Sequence, residues 1–244
     1  MPRFCANLTM LFQEIPLAKR FQAAADAGFD AVELLWPDEA EESPEELARL
    51  AQNADLEFAL MDTPRGETWG IAAQADQQIA FLSQMVKTID MADILDATHV
   101  HVMAGLAGDD ASDVLTENLI QACDMEPYQS FVIEPISPQA VPGYGLNSFD
   151  QAAKILAKVD RPNAGMLLDT FHAMNMGHDP LQLWRKHGDL IQHIQVSGYP
   201  KRHEPVDGYD FPAFFKALDK ADYEGVVSGE YNPKGETKDG LRWF

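Results

Sequence analysis

The chain has 244 residues, 46% of them hydrophobic and 23% charged, a composition suited to one globular domain over 1–244 and not to a disordered or fibrous chain. Its 18 basic and 39 acidic side chains give a formal charge of −21, a field that repels phosphate backbones and excludes nucleic acid from the expected partners. No apolar run reaches the roughly 18 residues of a membrane span, and the start, MPRFCANLTMLF, lacks a secretory signal's apolar core, so the cytoplasm is the expected location.

Short β-branched or apolar runs alternate with helical patterns along the whole chain. The run 3–8 precedes a helix over 17–27 with Leu17, Phe21 and Ala24 on one face, and 30–35 precedes a helix over 44–53 that Ser43 caps. The pairs continue as 56–61 with 75–95, 98–103 with 112–124, 131–136 with 148–158, 165–169 with 179–187, and 191–197 with 211–221. A last run, 225–230, leaves room for little of an eighth helix before Phe244. Eight βα repeats with near-continuous apolar strands predict a parallel sheet covered by helices, closed as a (β/α)₈ barrel. An open doubly wound sheet is the alternative, but no GxGxxG or GxxxxGK[ST] turn accompanies it. Cys5 and Cys123 have no CxxC spacing and are expected to be buried free thiols.

Residues that end barrel strands point into the mouth where such folds place their chemistry. Glu134 in VIEPI, Asp169 at the end of MLLD, Gln195 in HIQVS and Glu230 at the end of VVSGE all follow apolar runs. Carboxylates gathered and desolvated in this way repel one another unless a cation neutralises them or they keep their protons. Oxygen donors without a thiolate favour a hard divalent ion, Mg²⁺ or Mn²⁺. Taken singly, each acid could instead cap a helix or pair with a base.

Around these four, His172 could hydrogen-bond a substrate oxygen or be satisfied by loop backbone, and Arg202 offers a planar fork for a carboxylate or a partner for Glu204. Glu33, closing strand two, is a candidate substrate contact or a partner of a neighbouring loop. His101, placed mid-strand in 98–103, is expected in the barrel interior as a core histidine, with ligation as the alternative. Met10, Leu11 and Phe12 either wall the substrate or pack.

The segments MPRFCANLTMLF, HVMAG, VIEPIS, LLDTFHAMN, HIQVSGYPKRHEP and GEYNPKG resemble, in this order, the hydroxypyruvate isomerase family of xylose isomerase-like barrels, nearest to its 2-oxotetronate isomerase branch. The resemblance spans nearly the whole chain. It implies that Glu134, Asp169, Gln195 and Glu230 match metal-ligand positions, that Glu134 and Glu230 match paired acid/base carboxylates, and that His172 and Arg202 match substrate contacts. It further implies aldose–ketose type isomerisation of a small 2-oxo or hydroxy acid through an enediol, and a chain that forms homo-oligomers. Departures from the pattern include the short DTPRGETWGIAAQAD after strand three, with Arg65, VDGYDF after RHEP, and a short connection into strand five. A ketose 3-epimerase would use the same site, and a barrel that binds a sugar acid without turning it over is the non-enzymatic alternative. An endonuclease of the same superfamily would want further histidine ligands and a basic approach surface.

Overall fold

Strand residues point alternately to the two faces of a sheet, and in this chain the outward set is apolar enough to hold a ring of helices. The computed structural model describes residues 1–244. Eight strands occur: β1 (Arg3–Asn7), β2 (Ala31–Leu34), β3 (Glu57–Asp62), β4 (His99–His101), β5 (Ser130–Ile133), β6 (Ala164–Asp169), β7 (Ile191–Val196) and β8 (Val226–Gly229). All pair in parallel with their sequence neighbours, and β8 returns to β1 with Arg3 opposite Val226 and Ala6 opposite Gly229. That closing ladder removes the open-sheet alternative.

The helices are α1 (Leu17–Ala27), α2 (Pro44–Asn53), α3 (Gln78–Leu95), α4 (Ala111–Met125), α5 (Phe149–Val159), α6 (Thr170–Asn175), α7 (Pro180–His187), α8 (Phe211–Lys220) and α9 (Thr237–Gly240). Ser43 caps α2 by accepting from Glu46 N–H, as expected. A single cluster of 57 buried apolar residues lies between strands and helices, so the fold rests mainly on burial of that layer. No helix is long and apolar enough to cross a membrane. Cys5 and Cys123 are buried free thiols.

The elements depart from the sequence pattern most clearly after Gln74, after β6 and at the end of β4. The pattern over 75–95 opens with a 3₁₀ turn, Ala75–Gln77, before α3 begins. The segment after β6 forms α6, a helix of 6 residues that Asp169 caps by accepting from Phe171 N–H at 2.7 Å; a turn that short carries no periodicity to read. The run 98–103 stays in the sheet only as far as His101. Beyond it the chain folds against the loop after β3, where Gly70 and Gly105 have φ of +96° and +86°. A Cβ at Gly105 would lie 2.2 Å from Gly70 O, so both loops need glycine to approach.

After β8 the helix α9 has only 4 residues, in keeping with the short eighth helix expected. Thr237 Oγ1 accepts from Phe12 N–H at 2.7 Å, and the rings of Trp243 and Phe244 sit 5.4 and 5.0 Å from Phe4. These aromatic contacts cover the part of β1 that a longer helix would otherwise shield.

Candidate active site

A cavity of about 350 Å³ opens at the C-terminal ends of the strands. Its polar floor holds Asp62, His101, Glu134, His172, Gln195, Arg202 and Glu230, and its wall includes Met10, Leu35, Trp36, Trp69, Met103 and Val141. Larger hollows of about 700 and 760 Å³ lie at the opposite rim, around Gln192 and Gln129, where most of the lining charges face water.

Each carboxylate reaches the floor because its strand ends there. Asp169 is the last residue of β6, and Glu134 and Glu230 come directly after β5 and β8. All three are buried. Burial, then repulsion from Asp169 and Glu230, pushes the Glu134 carboxyl well above the usual carboxylate range. Burial likewise raises Glu230 well above that range against the pull of Arg202, and Asp169 is raised by burial against the same guanidinium.

Arg202 provides the only close cation. Its Nη2 lies 2.8 Å from Asp169 Oδ2 and 2.8 Å from Glu230 Oε1, and the guanidinium stacks 5.0 Å from the centre of the Phe171 ring. Its backbone has φ of +52°, which turns the loop after β7 back over the mouth. Arg202 does not pair with Glu204, whose Oε1 accepts from Lys234 N–H at 2.9 Å.

His172 meets the carboxylates with Nε2, 3.8 Å from Glu134 Oε1 and 3.6 Å from Asp169 Oδ2. Its Nδ1 accepts from Ser137 N–H at 3.3 Å. Since a backbone N–H can only donate, the neutral ring carries its proton on Nε2 and presents a donor to the cavity. Burial, aided by Arg202 and His101, holds its pKa well below the ordinary histidine value, which keeps that neutral form.

Gln195 lines the cavity, and its Nε2 donates to Glu33 Oε1 at 2.8 Å. The amide oxygen is therefore the end left for a ligand. Glu33 itself corrects the expectation of a substrate contact: it is 0% exposed and does not line the cavity. Oε1 also accepts from Asn7 Nδ2 at 2.7 Å, and Oε2 meets His193 Nε2 at 2.7 Å. Burial alone would raise its pKa, but the bonds from His193 and Gln195 outweigh that and hold it below the usual value. Asn7 Oδ1 accepts in turn from Thr9 and Met10 N–H, so Glu33 braces the floor and the loop after β1 from beneath.

Asp62 and His101 were missed. His101 is buried as expected, but it lines the cavity instead of lying in a core, with Nδ1 3.1 Å from Asp62 Oδ1 and Nε2 3.9 Å from Glu134 Oε2. The signal was the strand-end rule itself, applied with β3 ended one residue early and β4 two residues late. Arg65 forms a bidentate pair with Glu39 at 3.0 and 3.2 Å and stacks 4.4 Å from the Trp36 ring, which supports the apolar wall.

The residues fit a hard divalent cation. Glu134, Asp169 and His172 have candidate ligand atoms within 4.8 Å of one another, and Glu134 Oε1 is buried without a hydrogen-bond partner. The fixed tautomer of His172 makes it the least suited of these three to ligate, leaving Glu134, Asp169, Gln195 and Glu230 as the oxygen set.

Comparison with known proteins places the chain in a family. Residues 21–244 match the family described as a xylose isomerase-like TIM barrel. The 2-oxo-tetronate isomerase of Haemophilus influenzae is 35% identical over 100% of this chain and 98% of its own length. A putative hydroxypyruvate isomerase of Mus musculus is 36% identical over 99% of this chain and 94% of its own. A crystal structure from Brucella melitensis, described as an AP endonuclease of family 2, superposes with a TM-score of 0.95 at 32% identity, covering 100% of this chain and 98% of the other. The chain therefore belongs to the xylose isomerase-like TIM barrels and, within them, to the hydroxypyruvate isomerase family.

Proposed function

We propose that the protein isomerises a small 2-oxo or hydroxy acid, hydroxypyruvate to tartronate semialdehyde or 2-oxotetronate to 3-oxotetronate, through an enediol. The observation that carries this reading is the meeting of two buried, charge-strained glutamates, Glu134 and Glu230, with a guanidinium in one small cavity. Full-length relatives named for these two activities support it. The formal charge of −21 favours a small acid over the nuclease activity stated for the Brucella protein.

One glutamate takes the proton from the carbon beside the carbonyl, and the other returns a proton to the neighbouring carbon. Burial raises the proton affinity of both, which suits them to taking up and giving back a proton. A Mg²⁺ or Mn²⁺ ion held by Glu134, Asp169, Gln195 and Glu230 supplies Lewis acidity at the substrate oxygens when bound. His172 donates Nε2–H to a substrate oxygen. Arg202 Nη2 spans Asp169 and Glu230, and its Nε–H, which has no partner, is the donor left for the substrate carboxylate. Trp36, Trp69 and Met103 line the apolar side of the cavity.

The test is turnover of hydroxypyruvate and of 2-oxotetronate by the Mg²⁺- or Mn²⁺-supplemented protein. Glu134→Gln should lower kcat by about 10²- to 10⁴-fold. A variant that holds metal and keeps most of its turnover would remove Glu134 from the acid/base pair.

A further inference from the structure

Converting 2-oxotetronate to its 3-oxo isomer moves two protons, one from carbon to carbon and one from oxygen to oxygen. Glu134 and Glu230 account for the first. We propose that His101, oriented by Asp62, is a further catalytic residue that carries the second, an inference that rests on the isomerase reading.

Asp62 closes β3 and His101 closes β4, and the two are register partners across that ladder. The imidazole Nδ1 lies 3.1 Å from Asp62 Oδ1, with the side chains 3% and 4% exposed. A carboxylate that accepts the Nδ1 hydrogen leaves the lone pair on Nε2. Nε2 has no hydrogen-bond partner in the protein, lies 3.9 Å from Glu134 Oε2, and belongs to a ring that lines the cavity. The pair thus has the parts of a base and its orienting acid, aimed at a substrate space.

A purely structural role leaves that nitrogen unexplained. A buried ring nitrogen without a partner weakens the fold, and an apolar side chain of similar size would avoid that cost. A substrate hydroxyl supplies the missing partner. His172 cannot take the same role, because the Ser137 N–H at 3.3 Å fixes its cavity nitrogen as a donor.

The chemistry balances without an outside reagent. One glutamate removes the proton on C3; the freed pair forms the C2=C3 bond, and the carbonyl pair moves onto O2. His101 Nε2 takes the proton from the O3 hydroxyl and gives it to O2, which lies on the adjacent carbon. The O3 pair then forms the C3 carbonyl, and the C2=C3 pair takes its proton at C2 from the other glutamate. The ring, Asp62 and the paired glutamates end ready for the reverse passage.

The experiment is proton NMR in D₂O of the Mg²⁺- or Mn²⁺-supplemented protein with 2-oxotetronate, reading loss of the C3 proton signal and appearance of 3-oxotetronate separately. His101→Asn keeps a donor toward Asp62 and deletes Nε2; Asp62→Asn keeps the ring but donates to Nδ1, so that Nε2 carries the hydrogen. Exchange at C3 needs only carbon proton transfer. Each variant should therefore lose about 10²-fold in product formation while its C3 exchange falls by less than about tenfold. Exchange and product falling in parallel, or neither falling, would overturn the assignment while leaving the isomerase reading in place. Wild-type protein that shows neither exchange nor product removes both. Should His101→Asn fail to fold, as read from its thermal midpoint, Asp62→Asn decides alone, since it changes one oxygen for a nitrogen.

Discussion

At the N-terminal rim of the barrel, Arg3 of β1 bonds Glu57 of β3 at 2.6 Å, and Glu57 accepts from Thr98 at 2.8 Å. Ser130 links His99 to Gln192 there at 2.8 and 2.7 Å. At the C-terminal rim, Asp169 and Glu230 share one guanidinium, and Glu134 Oε1, His101 Nε2 and Arg202 Nε have no hydrogen-bond partner. Both rims are built from the same eight strands. One spends its polar groups on neighbouring strands, and the other holds them apart for something that enters the mouth. Unsatisfied buried groups cost stability, and folds tolerate them where function needs them. Larger hollows at the satisfied rim therefore carry less weight than the smaller, strained cavity.

Removing Arg202 should break this contrast most strongly. Arg202→Ala takes the cation from Asp169 and Glu230 and the fork from the substrate carboxylate. A charge-assisted hydrogen bond contributes about 1.5–3 kcal/mol, so kcat/KM for the acid substrate should fall by about 10- to 100-fold, mostly through KM. The metal-free variant should also melt lower, and added Mg²⁺ or Mn²⁺ should restore most of that loss by neutralising the same carboxylates. An unchanged KM, measured by steady-state turnover, would place the substrate carboxylate elsewhere.

A second, smaller effect concerns pH. The folded-state pKa of Glu134 is raised above 4.5, so in the metal-free protein its contribution to stability is complete below pH 4.5. That contribution is lost as pH rises through the raised value, because the folded state holds the proton longer than the unfolded chain. His172, with a depressed pKa, acts oppositely and costs stability as pH falls through 6.5. Comparing Glu134→Gln with wild type cancels the histidine contribution. The thermal midpoint of the metal-free variant, relative to wild type, should climb as pH rises above 4.5. A difference independent of pH would mean that Glu134 ionises without penalty.

Strand periodicity made most of the barrel legible. Every expected strand contains the observed core of its β element, since eight short apolar runs separated by helical patterns have few ways to bury both faces. Glu134, Asp169 and Glu230 were legible for a related reason: each ends its apolar run, and a run that ends in an acid at the mouth leaves it no deeper place. Glu33 shows where the rule misleads. It is followed by Leu34, Leu35 and Trp36, so it lies inside its run and one layer below the mouth, level with His193, its partner at 2.7 Å. His101 is the converse, an end residue read as interior because Val102 and Met103 prolong the run after the chain has left the sheet. Tertiary loop packing, here the approach of Gly70 and Gly105, decides such ends and leaves no periodic trace.

The satisfied rim supplies the smallest effect and the control for the others. Arg3 and Glu57 are 48% and 33% exposed, and pairs so placed contribute about 0.2–1 kcal/mol because water already solvates both charges. Arg3→Met should lower the thermal midpoint by no more than about 4 °C for a chain of this size. Part of even that loss should be offset, since Glu57 keeps its bond from Thr98 at 2.8 Å. Added salt should shrink the difference by screening the pair in wild type, whereas turnover should not change in either buffer, because no residue of this pair lines the mouth cavity. A kinetic effect of Arg3→Met comparable to that of Arg202→Ala would mean that the two ends of the barrel are coupled, and the division of labour between them would have to be abandoned.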